Sequence, residues 1–411
     1  MSDSNLIPAP IPAPAPFDAA PARPARRRRD QLIARLLLAY LGVIIGLLTL
    51  SPFRFAASWD GRMTFFSDLW DVPANIALFV PIGFLFQLAI APTRAAPIRL
   101  ACLAGAVFSL CLESLQLFLP DRSTSVFDVL SNTTGSGVGA LLCQRVQSLL
   151  DRRLPDALLL DHPLVNVLYL LLPLMWLSGL DIAATPTRAW LLAPLGATGA
   201  LVFAGLWRFR VVALTRHPTA TLCAAVGAWF ALGSLTVVRQ APLAVCAGAC
   251  ALLVLAAVAG HARDTPRERR FEATVLAWAW PWFGAYLLLL VLLPFSGFRT
   301  SFAFTAGYPE WTFHRPMTLR IAEQIGALTA LGYVLAGALS RRPARTPLRL
   351  WLGCVMVATG LELLHGFLPD ARASGLRCGL TSAGAAFGIA LHALQLNVVR
   401  LLRGSRRSGG V

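Results

Sequence analysis

Apolar runs of roughly 18–22 residues recur along this chain, each long enough to cross about 30 Å of hydrocarbon. Short polar segments between them hold nearly all of the charge. The pattern predicts helices at about 31–50, 75–91, 100–119, 127–149, 157–180, 189–207, 219–238, 242–260, 273–294, 321–339, 350–368 and 376–398. The expectation is an all-α integral membrane protein with about twelve transmembrane helices. The first run, Gln31–Leu50, is too long for the apolar part of a cleaved signal peptide. Ahead of it, residues 1–30 form a Pro/Arg-rich segment, expected to be a disordered tail. Residues 401–411 form a short basic tail.

Composition agrees: 56% of the 411 residues are hydrophobic and only 14% charged, where a soluble domain carries charge on about a quarter. The net charge of +16 is high enough to suggest nucleic acid, but its distribution argues against that partner. All 36 basic residues are Arg, and alternating the predicted spans puts 25 in segments on one side, ten on the other and Arg35 within the first helix. By the positive-inside rule, the Arg-rich side, with both termini, is cytoplasmic. The eight cysteines fall mostly within apolar runs without metal-ligand or redox spacing, so they read as core residues. No cofactor and no metal is expected.

An internal repeat organises the chain. LESLQLFLPDRSTSVFDVLSNTTGSGVG (Leu112 to Gly139) aligns without gaps to LELLHGFLPDARASGLRCGLTSAGAAFG (Leu361 to Gly388), at an offset of 249 residues. The same offset carries NIALFVPIGFLF (Asn75 to Phe86) onto QIGALTALGYVL (Gln324 to Leu335). Both copies begin with a helix of the same sense, so the repeats are parallel. They divide the membrane part into a module at 31–150, a central four-helix segment at 151–272 and a degenerate module at 273–400.

Ionisable and amide side chains inside spans are costly unless they are used, and the first repeat holds a set of them. Asp71 and Asn75 stand four apart at the start of one helix, and Glu113 and Gln116 three apart near the end of the next. Arg122 lies in the short loop that follows, and Asp128 and Asn132 are four apart at the start of the fourth helix. All seven fall at similar depth, close to the extracytoplasmic face. A ligand pocket would use Arg122 to hold a phosphate or carboxylate, with Glu113 as general acid or base. Asp128 and Asn132 would orient Arg122 or bind hydroxyls, and Glu113 and Asp128 are the candidates should the pocket be catalytic. The competing reading is helix glue, with charges that neutralise one another.

The order Asp71-x3-Asn75, then Phe79-x-Pro81-x-Gly83, then Glu113-x2-Gln116-x5-Arg122-x5-Asp128-x3-Asn132-x2-Gly135 resembles the VanZ-like family, over about residues 40–150. That resemblance implies a bacterial inner-membrane protein connected with glycopeptide resistance or with surface-lipid or cell-wall processes. In the second copy Asp71 is matched by Arg320, Asn75 by Gln324, Pro81 by Ala330, Gln116 by His365, Arg122 by Ala371, Asp128 by Arg377 and Asn132 by Thr381, while Glu362 keeps the acid of Glu113. The first repeat is therefore expected to be the working copy.

Other features carry less. Glu362-x2-His365 has the spacing of half a di-metal site, with Glu323 as the only further acid in reach. Gly135, Gly137 and Gly139 fit close helix packing better than a phosphate loop. The central helices read as scaffold, Pro173, Pro194 and Gly227 as bends, and Trp311 and Phe313 of the 295–320 loop as an interfacial belt. The leading functional expectation is a protein that binds or modifies an envelope lipid or lipid-linked cell-wall precursor. A secondary transporter of an amphipathic solute and a structural assembly factor are the alternatives.

Overall fold

A computed structural model describes residues 23–56, 62–64, 70–90, 98–120, 122–153, 163–179, 182, 185–210, 217–235, 237–238, 240–261, 271–307, 315–339, 347–369 and 371–408. Among them are twelve α-helices: α1 (Arg23–Leu50), α2 (Asp71–Ile90), α3 (Ile98–Gln116), α4 (Val126–Arg153), α5 (Pro163–Gly179), α6 (Leu192–Arg210), α7 (Pro218–Ser234), α8 (Pro242–His261), α9 (Phe271–Leu292), α10 (Arg315–Leu339), α11 (Pro347–Gly366) and α12 (Gly375–Ser408). Eight are long and apolar enough to cross a membrane, and α5 and α7 are shorter apolar helices. The chain is an all-α, multi-pass membrane protein.

Most helix ends fall within a few residues of those predicted. At the N-terminus α1 begins at Arg23, so the Arg26–Arg29 run is helical instead of part of a disordered tail. Arginine is a good helix former and extends the apolar span outward. Likewise α12 runs to Ser408, through most of the predicted basic tail. Helix α2 starts at Asp71, whose acid stands in the first turn where the helix dipole favours it. Pro194 lies at the third residue of α6, where proline fits the first turn without bending it. Pro173 lies inside α5. Trp311, Phe313 and the first 22 residues lie outside the described residues.

Two helix pairs pack closest, α2 on α4 and α10 on α12, and glycine makes both possible. A Cβ on Gly139 would stand 2.0 Å from Val80 O, one on Gly83 2.0 Å from Ser136 O, and one on Gly135 2.5 Å from Ile76 O. The second pair repeats these approaches 249 residues on. Gly388 meets Thr329 O at 2.0 Å, Gly332 meets Ala385 O at 2.3 Å, and Gly384 meets Ile325 O at 2.7 Å. Each approach is backbone to backbone, so only glycine fits at the crossing.

Short parallel strand pairs set the start of α4 and α12. Strand β1 (Arg62–Thr64) pairs with β2 (Ser123–Ser125), which runs directly into α4. Strand β3 (Phe304–Thr305) pairs with β4 (Ala373–Ser374), which runs directly into α12. The chain beside the first pair is tied to the segment that follows α1, where Ala56 N–H donates to Phe118 O at 2.8 Å.

The centre is apolar. Helix α5 is buried along nearly its whole length, Trp176 included, and 72% of the best apolar window of α6 and of α10 is buried, against 22% for α3 and 17% for α8 and α11. The last three therefore line the lipid boundary. On α3 the exposed residues Leu103, Val107 and Leu110 follow helical spacing down one face.

Candidate functional site

At the strand end of the first module, four helices bring the seven polar residues together in different ways. Asn75 of α2 donates its amide to Asp128 Oδ1 of α4 at 2.9 Å. Glu113, half-buried on α3, accepts the Ser125 backbone N–H at Oε2, at 3.2 Å. Ser125 is the last residue of β2, and its hydroxyl accepts the Phe127 N–H at 3.2 Å, so the strand, the first turn of α4 and the acid are held as a unit. One turn further into the membrane, Asn132 of α4 donates to Ser109 Oγ of α3 at 2.8 Å. Asn132 is buried and its Oδ1 has no hydrogen-bond partner.

Gln116 and Arg122 have another task. Gln116 Nε2 donates to Thr49 O at 3.1 Å, and Arg122 Nη2 to Leu48 O at 3.3 Å. Both carbonyls belong to the last turn of α1, where no intrahelical donor remains. These side chains cap α1 and tie it to the loop between α3 and α4. Asp71 is exposed at the head of α2, one turn before Asn75. The charges of Asp128 and Arg122 both act on Glu113. The site thus presents two carboxylates at the membrane boundary, with a guanidinium engaged on α1.

The positions 249 residues on are arranged alike, with an arginine in place of one acid. Glu362 accepts the Ser374 N–H at 2.9 Å, the counterpart of the bond from Ser125 to Glu113. Arg377, at the position of Asp128, then closes on Glu362 with Nε and Nη2 at 2.5 and 2.7 Å and also donates to Arg372 O at 2.9 Å. This is a bidentate pair, nearly buried on both sides. Beside it His365 is buried with Nδ1 unpartnered. Arg299 caps the end of α11 through Gly366 O at 2.9 Å and holds the following loop through Ala371 O at 2.7 Å.

One buried cluster was not foreseen. Arg188, from the 3-10 turn Pro186–Leu191, pairs with Glu323 of α10, and both are almost fully buried. Ser178 of α5 and Tyr286 of α9 donate to the same carboxylate. Sequence reasoning placed Arg188 in a loop and weighed Glu323 only beside Glu362 and His365. In the fold Glu323 faces the central helices and Glu362 faces Arg377, so the two acids do not share a site. Among the described residues no group of three or more metal-ligating side chains converges.

Neither a curated protein nor a solved structure matches the chain. A family model described as VanZ/LLP1 matches residues 24–147, from α1 through most of α4, with every residue of the first site. The N-terminal module of this multi-pass membrane protein belongs to the VanZ-like family.

Proposed function

We propose that the first module binds the headgroup of an envelope lipid or lipid-linked cell-wall precursor, at the extracytoplasmic boundary of a bacterial inner membrane. The observation that carries this reading is Glu113, an acid one turn from the end of a lipid-lined helix. Its hydrogen bond comes from a backbone N–H, and among the described residues no cation pairs with it directly. Charge in hydrocarbon is costly unless it is used, and its counterpart Glu362 is used, by Arg377. A headgroup reaching in along the exposed face of α3 meets Glu113, then Asp128 held by Asn75, then the acceptor of Asn132. Residues 273–400 are read as a degenerate counterpart of this module whose site is closed by its own ion pair. Residues 151–272 serve as the scaffold between the two.

Native mass spectrometry of gently purified protein tests the proposal. Wild type is expected to carry a discrete lipid or lipid-linked species that Glu113→Ala and Asp128→Ala both lose, at matched expression and unchanged unfolding temperature. Identical lipid complements in all three proteins would reject it and return these side chains to a structural role.

A further inference from the structure

We infer that the group bound at Glu113 and Asp128 is a protonated amine, so the lipid recognised carries a primary amine in its headgroup. This rests on the proposal that the site takes a lipid and adds the chemistry of the headgroup. Two independent observations carry it. The first is the pair of repeats. In the second module a guanidinium supplied by the chain itself lies against Glu362 while Ser374 N–H holds the same carboxylate from the other side. In the first module the backbone bond is present, from Ser125 to Glu113, but Asp128 stands where Arg377 would bring the cation. The protein thus contains a worked example of what this carboxylate and strand accommodate, and it is a cation bearing several N–H donors.

The second observation lies one turn deeper. Asn132 is 6% exposed, and its Oδ1 has no hydrogen-bond partner. Its amide nitrogen is fixed on Ser109, so the amide leaves an acceptor, not a donor, unused. Ser109 is four residues before Glu113 on α3, and Asn132 four after Asp128 on α4, so both amide and hydroxyl sit directly below the two acids. The Glu113 carboxylate and the unpartnered Asn132 amide oxygen together ask for donors. An ammonium has three donors and no acceptor, whereas a bare phosphate or carboxylate would bring more acceptors. Arg122, the nearby guanidinium, is engaged on Leu48 O at the end of α1.

The test uses the full chain in detergent, incubated in turn with phosphatidylethanolamine, phosphatidylglycerol and free ethanolamine, and read by native mass spectrometry. Phosphatidylethanolamine is expected to be retained about tenfold over phosphatidylglycerol, a difference one charged contact readily supplies. That preference should disappear in Glu113→Gln and in Asp128→Asn, both close in shape to wild type, with unfolding temperature as the check on folding. Equal retention of the two phospholipids, or preference for phosphatidylglycerol, overturns the amine inference and leaves the lipid site standing. Retention of neither phospholipid with saturable binding of ethanolamine keeps the amine and overturns the lipid as its source. Failure to bind any of the three overturns both.

Discussion

Glu113 and Glu362 stand at equivalent positions in two settings, and the proposal assigns a ligand to the first alone. Glu362 and Arg377 are buried together, so removing the acid strands a guanidinium. Glu362→Gln is expected to cost about 3–5 kcal/mol, as broken buried pairs do, and to show as a large drop in unfolding temperature. Glu113→Gln leaves no cation stranded in a bidentate pair, keeps an oxygen for Ser125 N–H and is expected to cost less than about 1 kcal/mol. Equal losses would mean that Glu113 is structural too. The second module also suggests a gain-of-closure variant. Asp128→Arg is expected to recreate the Arg377 arrangement, so that the protein folds at wild-type abundance but carries no bound lipid. A variant that still carried the lipid would contradict the assignment.

At the scale of helices, glycine decides how near the site walls stand. Gly139→Ala would bring a methyl against Val80 O, where 2.0 Å is available, and α2 and α4 must then part. Overpacking of this kind costs about 1–3 kcal/mol, so lower abundance and unfolding temperature are expected in Gly139→Ala, and equally in Gly388→Ala. Gly227→Ala, with Leu253 at 3.8 Å, should be neutral by the same assay. These packing glycines were legible in the sequence because helix crossings repeat at small-residue spacing. The helices were legible for a similar reason, since each apolar run is bounded by the width of the bilayer. Their ends were less so: α1 and α12 outrun their apolar spans because arginine extends a helix as readily as leucine does.

Across the whole molecule, the Arg188–Glu323 pair ties the central helices to the second module, since Ser178, Tyr286, α10 and the Pro186–Leu191 turn meet on one carboxylate. Arg188→Ala is expected to destabilise the protein by about 3–5 kcal/mol without altering the lipid bound at the first module. An unfolding curve and a lipid profile on the same sample check both halves. This pair was not legible beforehand, because nothing local marks a partner 135 residues away. Of the seven polar residues, local spacing identified which stand on one face of each helix, and the fold brings Asn75 to Asp128 and Asn132 to Ser109. Spacing did not reveal that Gln116 and Arg122 cap α1, since their partners are backbone carbonyls that carry no sequence signature. The central claim, that the first module holds a headgroup while the second is closed by its own arginine, is tested most directly by cryo-electron microscopy of wild type extracted with its native lipids into nanodiscs. The expected map shows ligand density against Glu113, Asp128 and Asn132, with Arg377 still closed on Glu362. An empty first site, or a ligand between Glu362 and a displaced Arg377, would contradict it.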